Sequence, residues 1–203
     1  MIAIVDYGAG NLRSVARAIG KLGYPATVTQ SSGDILAAQA IILPGVGAAA
    51  DTMRSLKRLG LVEPLLEVIR EDRPYLGICL GLQILLTASE EGGHCPCLGV
   101  VPGMVRHLPV GLKVPHMGWN QVETLIDHRV FDGIPRGTNF YFVHSYFVDP
   151  LDRSVVAAET EYGVRFCSVV IRSNLVATQF HPEKSGEAGL RFFDNFCRWA
   201  LER

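Results

Sequence analysis

At the centre of the chain is the sequence Pro74-Tyr75-Leu76-Gly77-Ile78-Cys79-Leu80-Gly81-Leu82-Gln83, an apolar run that passes into Gly-x-Cys-x-Gly. The run after Pro74 is short enough for a buried strand of a parallel sheet. A strand that turns into a helix within two residues needs small neighbours on both sides of the turning residue, and Gly77 and Gly81 supply them. The pattern therefore predicts a nucleophile elbow, with the side chain of Cys79 pushed out at the carboxyl end of the sheet.

Two roles are open to Cys79. In the first, it is a nucleophile at the N-terminus of a helix that begins at Leu80, where the partial positive charge favours the thiolate. In the second, it is a buried core cysteine, which is the commonest fate of a free thiol. The flanking glycines favour the nucleophile, and a nucleophile of this kind requires a base.

The predicted base lies in the last fifth of the chain. Residues 174–180 read as a strand, and His181-Pro182-Glu183 follows directly. Pro182 keeps His181 extended, because the residue before a proline avoids the helical region. Residues two apart in an extended chain point the same way, so Glu183 is expected to reach the imidazole of His181. A carboxylate there fixes the tautomer and supports the imidazolium, which predicts a Cys–His–Glu triad.

The composition is that of one ordinary globular domain. The chain has 203 residues, 48% hydrophobic and 19% charged, with a formal net charge of −1. Interspersed charges without a basic tract give no support for binding to nucleic acid or to an anionic membrane. The first residues, Met1–Asp6, contain no basic segment and no long apolar stretch, so neither a signal peptide nor a membrane span is expected. Five cysteines without framework spacing fit a reducing cytoplasm.

Three patterns bear on cofactors. Gly8-x-Gly10 follows the first predicted strand, but the third glycine is missing and no acidic residue ends the second strand, which excludes a nicotinamide or flavin site. The Walker A pattern for ATP is absent from the sequence. In His94-Cys95-Pro96-Cys97 the two cysteines are separated by one residue, and the sequence has no second Cys/His pair to complete a set of metal ligands. This favours a loop over a metal site. Neither a cofactor nor a metal is predicted.

Strands and helices alternate in the first half of the chain, and short strands dominate the second. Before the elbow, the sequence predicts strands over 2–5, 26–29 and 40–43 and helices over 12–22, 49–59 and 61–71. After the elbow, it predicts strands over 103–108, 113–122, 139–148, 154–159, 164–172 and 175–180 and a final helix over 187–201. This predicts an α/β fold, a doubly wound and mainly parallel sheet with helices on both faces and a strand-rich second half. Without a linker, repeat or low-complexity tract, residues 1–203 are expected to form a single domain.

The strand 40–43 runs into Pro44-Gly45-Val46-Gly47. Two glycines let a backbone approach a ligand closely and turn its N–H groups toward it. One interpretation is an oxyanion hole, shared with the N–H of Leu80 after the nucleophile. The other is a plain turn between a strand and a helix, and this segment alone does not decide between them.

Three motifs together resemble the class I, or triad-type, glutamine amidotransferases. Pro44–Gly47, Gly77–Gln83 and His181–Glu183 occur in the order typical of that family, and the resemblance runs from Met1 to the last helix. Within the family, the chain is most similar to members that work as the glutaminase subunit of a larger synthase. The residues that carry this closer resemblance are Asp6–Leu12, Pro115–Asn120 and Tyr141–Tyr146.

The resemblance implies a reaction and a substrate, L-glutamine. Cys79 would attack the side-chain amide, and His181, oriented by Glu183, would act first as acid and then as base. The backbone of Gly45, Val46, Gly47 and Leu80 would form the oxyanion hole. The residues implied to bind the substrate are Gln83, Glu91, Ser145 and Tyr146. A carboxylate suits the ammonium of a zwitterion, although the residues alone favour Glu91 as a solvated loop acid.

The resemblance also implies a partner, a cyclase subunit with a (β/α)8 barrel, in a heterodimer. The chemistry agrees with a partner, because all the motifs identified serve to release ammonia and none of them would bind a phosphate or nucleotide acceptor. Ammonia released into water is largely protonated, so a water-excluding channel to an acceptor is expected. The residues implied at the contact are Asn11, His116, Met117, Trp119 and Asn120. Aromatic residues are enriched at interfaces, but core packing is a serious competing role for Trp119.

Two rival classes remain at this point. A cysteine peptidase or amidase of the same doubly wound type would need no partner and would not release ammonia from glutamine. A non-catalytic subunit that retains the fold would not need the intact Cys79, His181 and Glu183.

Overall fold

The computed structural model describes residues 1–202, and within them the chain forms thirteen strands and six helices. The first half contains β1 (Ile2–Val5), α1 (Leu12–Lys21), β2 (Ala26–Thr29), α2 (Ser32–Ala37), β3 (Ala40–Gly45), α3 (Ala49–Arg58), α4 (Val62–Arg70), β4 (Tyr75–Cys79) and α5 (Leu80–Gln83). The second half contains β5 (Leu86–Ser89), β6 (Cys95–Pro96), β7 (Val101–His107), β8 (His116–Thr124), β9 (Thr138–His144), β10 (Tyr146–Pro150), β11 (Val156–Glu161), β12 (Arg165–Arg172), β13 (Leu175–Thr178) and α6 (Gly186–Leu201).

A parallel block forms the centre of the sheet, in the order β2-β1-β3-β4-β13. Side chains alternate across it, so that Ile2 and Ile4 of β1 face one hydrophobic cluster while Ala3 and Val5 face another. The first cluster contains residues of α1 and α6, and the second contains residues of α2, α3 and α4. Helices therefore cover both faces, and the predicted α/β fold class is confirmed.

The strand-rich second half extends this block. Strand β12 pairs antiparallel with β13, and β10, β7, β5 and β6 continue the order on that side. Strand β11 pairs with β12 and with β8, and β8 forms a long antiparallel pair with β9. The elbow strand β4 lies between β3 and β13, with Gly45 opposite Cys79 and Thr178 opposite Ile78. The segments that follow β3, β4 and β13 consequently emerge at one edge of the sheet.

Two predicted elements differ in the structure. The helix that begins at Leu80 has a single turn, and by Leu86 the chain has entered β5, because pairing with β6 and β7 outweighs the helical preference of the apolar run. The predicted strand 139–148 is interrupted at Ser145, so that β9 and β10 pair with different neighbours, β8 and β7.

Arg203, the last residue of the expected single domain, lies outside the described residues, and that expectation stays a prediction. Among residues 1–202, no helix is long and apolar enough to cross a membrane.

Candidate active site

The nucleophile elbow is built by three glycines that allow backbone to pack on backbone. Cys79 joins β4 to α5 with φ 55° and ψ −105°, a conformation that non-glycine residues rarely adopt. A Cβ on Gly81 would overlap the carbonyl oxygen of Leu43, and a Cβ on Gly77 would lie 2.7 Å from the carbonyl oxygen of Gly81. A Cβ on Gly45 would lie 2.7 Å from the N of Gly81. Only glycines fit these positions, so these three residues allow the turn that presents Cys79.

His181 and Glu183 come together at the end of β13. His181 is extended, with φ −102° and ψ 96°, as Pro182 predicts. Glu183 does not follow in extended chain, because Pro182–Lys184 forms a single 3-10 turn that folds its carboxylate back toward the ring. The expected contact is present, with Nδ1 of His181 2.8 Å from Oε1 of Glu183, but it is made by a turn and not by alternation along a strand.

His181 and Glu183 are both buried, and the charge on the His181 ring is favoured by Cys79 and Glu183 on its two sides. The side chains of His181 and Glu183 are only 2% and 1% exposed. Burial opposes a charge on the ring, but the neighbouring Cys79 and Glu183 side chains together outweigh it and raise the pKa of His181. With Nδ1 engaged by Glu183, the buried Nε2 has no hydrogen-bond partner of its own and remains for the chemistry at Cys79.

A pocket of about 330 Å³ opens at this edge of the sheet. Cys79 and His181 line it, which favours a reactive role for Cys79 over that of an inert core cysteine. Of the remaining residues proposed from the sequence for the oxyanion hole and the substrate, all but Gly45 also line the pocket: Val46, Gly47, Leu80, Gln83, Glu91, Ser145 and Tyr146. Gly45 instead packs behind the elbow. Pro115, Val143 and His144 complete the wall.

The segment after β3 lies close to the buried side chain of Tyr7 and contains a glycine with a positive φ. Burial raises the pKa of Tyr7, while the Thr52 side chain and the backbone of Val46 act in the opposite direction. Gly47 has φ +92°, which glycine adopts without strain.

Two buried glutamines connect the pocket wall to the nucleophile. Nε2 of Gln83 donates to the Tyr146 carbonyl at 2.8 Å and to Oε1 of Gln179 at 3.2 Å. Nε2 of Gln179 in turn lies 3.6 Å from Sγ of Cys79. Gln179 was missed from the sequence, although a polar residue in an apolar strand two positions before His181 is a recognisable signal.

Glu91 is tied to the scaffold and is not a solvated loop acid. Its Oε2 accepts the backbone N–H of Ala49 at 2.7 Å, at the first residue of α3. A carboxylate at a helix N-terminus is favoured by the helix dipole as well as by this hydrogen bond. Glu91 thus supports α3 and lines the pocket at the same time.

The residues expected at a partner contact divide into exposed and buried ones. Met117 and Trp119 are 62% and 57% exposed, so core packing is the wrong interpretation for Trp119. His116 is 3% exposed and stacks on Phe142 and Tyr162, so its assignment to an interface is wrong. Asn11 is partly buried, and its Nδ2 lies 3.4 Å from Oε1 of Glu183.

Neither a metal centre nor the cavity at the opposite edge of the sheet matches this pocket in chemistry. Within residues 1–202, no three His, Cys, Asp or Glu side chains are placed to hold a metal ion. A larger cavity of about 560 Å³ lies near the start of β4 and β13, and its basic residues are Arg70, Arg73 and Arg172. Each of these arginines donates to backbone carbonyls, and no cysteine or histidine lines the cavity. The smaller pocket, by contrast, is lined by both a cysteine and a histidine.

Comparison with known proteins agrees with this geometry. The family described as Glutamine amidotransferase class-I matches residues 3–199, and the chain belongs to this family. It is 56% identical to imidazole glycerol phosphate synthase subunit HisH of Dehalococcoides mccartyi strain CBDB1, over 99% of this chain and 98% of the relative. It is 52% identical to the protein of the same name in Chloroflexus aurantiacus, over 98% of this chain and 96% of the relative.

Solved structures share the fold at low sequence identity. A crystal structure of a glutamine amidotransferase superposes with a TM-score of 0.76 at 20% identity, covering 97% of this chain and 99% of the other. A chain in the structure of PurLQS from Thermotoga maritima also gives 0.76, at 18% identity, covering 98% and 97%.

Proposed function

We propose that this chain is the glutaminase subunit of imidazole glycerol phosphate synthase. It hydrolyses L-glutamine to glutamate and ammonia and passes the ammonia to the cyclase subunit of the synthase in histidine biosynthesis. The observation that carries the proposal is that Cys79 and His181 line the same pocket, while Glu183 holds Nδ1 of His181 by a hydrogen bond. The close relatives named as HisH support the choice of synthase. The five free cysteines fit a cytoplasmic location.

The reaction follows from the atoms at the elbow. The Cys79 thiolate attacks the side-chain amide carbon of glutamine, so that a C–S bond forms and the carbonyl oxygen becomes an oxyanion. His181, protonated at Nε2, gives its proton to the leaving nitrogen, and ammonia departs as the C–N bond breaks. Water then attacks the thioester while Nε2 of His181 takes its proton, and the C–S bond breaks to release glutamate and restore Cys79. Glu183 holds the Nδ1 proton in place throughout.

The oxyanion hole is proposed at the junction of β3 and the elbow. Leu80 is the first residue of α5, and its N–H is one of those that a helix leaves without an internal partner. The second donor is an N–H of the Gly45–Gly47 segment, and a turn of the peptide there decides whether an N–H or a carbonyl faces the oxyanion. Gly45 and Gly47 make such a turn sterically inexpensive. Partner binding is proposed to favour it.

Substrate binding is assigned to the opposite wall of the pocket. Oε1 of Glu91 is available for the ammonium of glutamine, since Oε2 is occupied by Ala49. The carbonyl of Tyr146 is already occupied by Gln83, so Gln83, Ser145 and Tyr146 shape the wall and present its other polar groups.

The cyclase subunit, a (β/α)8 barrel, is proposed to bind over Met117 and Trp119. Both side chains are exposed on β8, and large apolar side chains of this kind are typical interface anchors. Enclosing the pocket beneath a partner excludes water and keeps ammonia unprotonated on its way to the acceptor.

The test is glutaminase turnover of the purified chain alone, with the cyclase subunit, and with the cyclase plus its nucleotide ligand. Glutamine-dependent ammonia release that rises with the partner is the expected result. Hydrolysis of peptides or simple amides without stimulation would instead indicate a partner-independent hydrolase. Failure of a glutamine-like electrophile to label Cys79 in the complex would indicate a non-catalytic subunit.

A further inference from the structure

Two buried histidines lie next to each other at the pocket wall, which His144 lines and behind which His116 packs. His116 in β8 and His144 in β9 are directly opposite in the antiparallel register, and they are 3% and 5% exposed. Nδ1 of His116 is 2.9 Å from Nε2 of His144. Burial lowers the pKa of His116 to about 4 and that of His144 to about 3. Both rings are therefore neutral near pH 7, and each carries one proton.

The partner of His144 decides where those protons are. Nδ1 of His144 lies 2.9 Å from the carbonyl oxygen of Tyr146. A carbonyl only accepts, so Nδ1 of His144 carries the proton and its Nε2 is an acceptor. Nδ1 of His116 must then donate to that Nε2, which leaves Nε2 of His116 as an acceptor.

Asn120 supplies the donor that this arrangement requires. Its Nδ2 is 3.2 Å from Nε2 of His116. The orientation of the amide is set independently, because Nδ2 donates to the Glu161 carbonyl at 2.9 Å and Oδ1 accepts the N–H of Gln121 at 2.8 Å. Every hydrogen bond thus runs in one direction, from Asn120 to His116 to His144 to the Tyr146 carbonyl.

The chain of hydrogen bonds ends on the pocket. Ser145 and Tyr146 line it at the break between β9 and β10. The Tyr146 carbonyl receives His144 on one side and Gln83, at 2.8 Å, on the other. Both lone pairs are satisfied, so the orientation of this peptide is determined by the two donors together.

The same strand carries the exposed residues. Side chains alternate along β8, so His116 and Asn120 point to one face while Met117 and Trp119 point to the other. A displacement of β8 at its exposed face is therefore transmitted to the Tyr146 peptide through the buried face.

We propose that Asn120, His116 and His144 form a hydrogen-bond relay of fixed direction that positions the Ser145–Tyr146 break for glutamine binding. They are positioning residues and not catalytic ones. The glutamine part of this proposal rests on the proposed function, whereas the direction of the relay does not.

The direction is tested on the wild-type protein by nitrogen NMR of the histidine side chains near pH 7. Both His116 and His144 are expected as neutral rings protonated at Nδ1. Either ring protonated at Nε2, or charged, overturns the relay. This result does not depend on what the protein hydrolyses.

The positioning role is tested with near-isosteric pairs. An asparagine nitrogen takes the place of Nδ1 of histidine, whereas a glutamine amide takes the place of Nε2. His116→Asn therefore keeps the donor along the relay, whereas His116→Gln and His144→Gln lose it. In the complex, the glutamine variants are expected to raise the KM for glutamine roughly five- to ten-fold, with kcat within about two-fold, and His116→Asn to stay within about two-fold of wild type.

Thermal unfolding of these three variants separates this effect from a loss of fold. Equal KM changes in the asparagine and glutamine variants, or changes confined to kcat, would overturn the positioning role. A wild-type complex that does not hydrolyse glutamine would overturn the proposed function, while the tautomer measurement would still decide the relay.

Discussion

Replacing Glu183 with glutamine tests how the site keeps the tautomer of His181. Oε1 of Glu183 is 2.8 Å from Nδ1 of His181 and 3.4 Å from Nδ2 of Asn11. Both of these nitrogens are donors, so the position of Oε1 requires an acceptor. In a Glu183→Gln variant, Asn11 therefore keeps the amide oxygen at this position, and Nδ1 of His181 keeps its proton.

The expected size of the effect follows from what is lost. A hydrogen bond to a charged group contributes about 1.5–3 kcal/mol and a neutral one about 0.5–1.5 kcal/mol. The difference, roughly 1–1.5 kcal/mol, corresponds to about a ten-fold loss of kcat/KM. A reversed amide would instead leave the proton on Nε2 of His181, and the equivalent error in a serine-protease triad costs about four powers of ten. Asn11→Ala removes the group that prevents this reversal.

The assay is kcat/KM for glutamine in the complex with the cyclase, for both single variants and the double variant. Glu183→Gln should lose about ten-fold, Asn11→Ala about three-fold or less, and the double variant several hundred-fold or more, since neighbours that share an atom are not additive. His181→Ala should be more severe than Glu183→Gln. Turnover with ammonium salts serves as the control and should not change. A single Glu183→Gln loss near four powers of ten, or an additive double variant, would refute the reasoning.

Four further predictions follow. Cys79→Ala should abolish glutamine hydrolysis but leave the complex active with ammonium salts at high pH; residual glutamine-dependent turnover near wild type would remove Cys79 from the mechanism. Glu91→Gln should raise the KM for glutamine more than it lowers kcat, and should lower Tm by about 2–4 °C because α3 loses its charged acceptor; an unchanged KM would confine Glu91 to its structural role. Gly47→Ala should raise basal turnover and reduce stimulation by the partner, because alanine disfavours the φ of +92° and no neighbour lies within 4 Å to obstruct it; an unaltered ratio of stimulated to basal turnover would contradict the peptide switch. The folded-state pKa of His116, about 4, lies below the unfolded value of about 6.5, so its contribution to stability is present above pH 6.5 and is lost as the pH falls toward 4. The stability difference between wild type and His116→Asn should therefore shrink over that range, and a difference independent of pH would show that folding does not lower the pKa of His116.

The sequence predicted the elements whose causes are local. Strand Ile2–Val5, the elbow at Cys79 and the extended His181 before Pro182 each depend on neighbouring residues, and each is present. The one-turn helix α5 was not predicted, because β5 exists through pairing with strands distant in the sequence. The burial of His116 depends likewise on Phe142 and Tyr162 across the sheet. For Trp119 the sequence left an interface and the core both open, because the side to which its side chain points depends on how β8 pairs within the sheet.

The central place of β13 has a consequence for synthesis of the protein. Leu175 follows Cys79 by 96 residues, which take a ribosome roughly 5–20 s to add. During that interval β4 can pair with β3, but its other edge is open, and an unpaired edge of an apolar strand is an aggregation hazard. When β13 docks, it closes this edge and delivers His181 to Cys79 in the same event. A nascent chain that lacks β13 is therefore expected not to hydrolyse glutamine, because His181 is not yet next to Cys79. Completion of the sheet and assembly of the active site are then the same folding step.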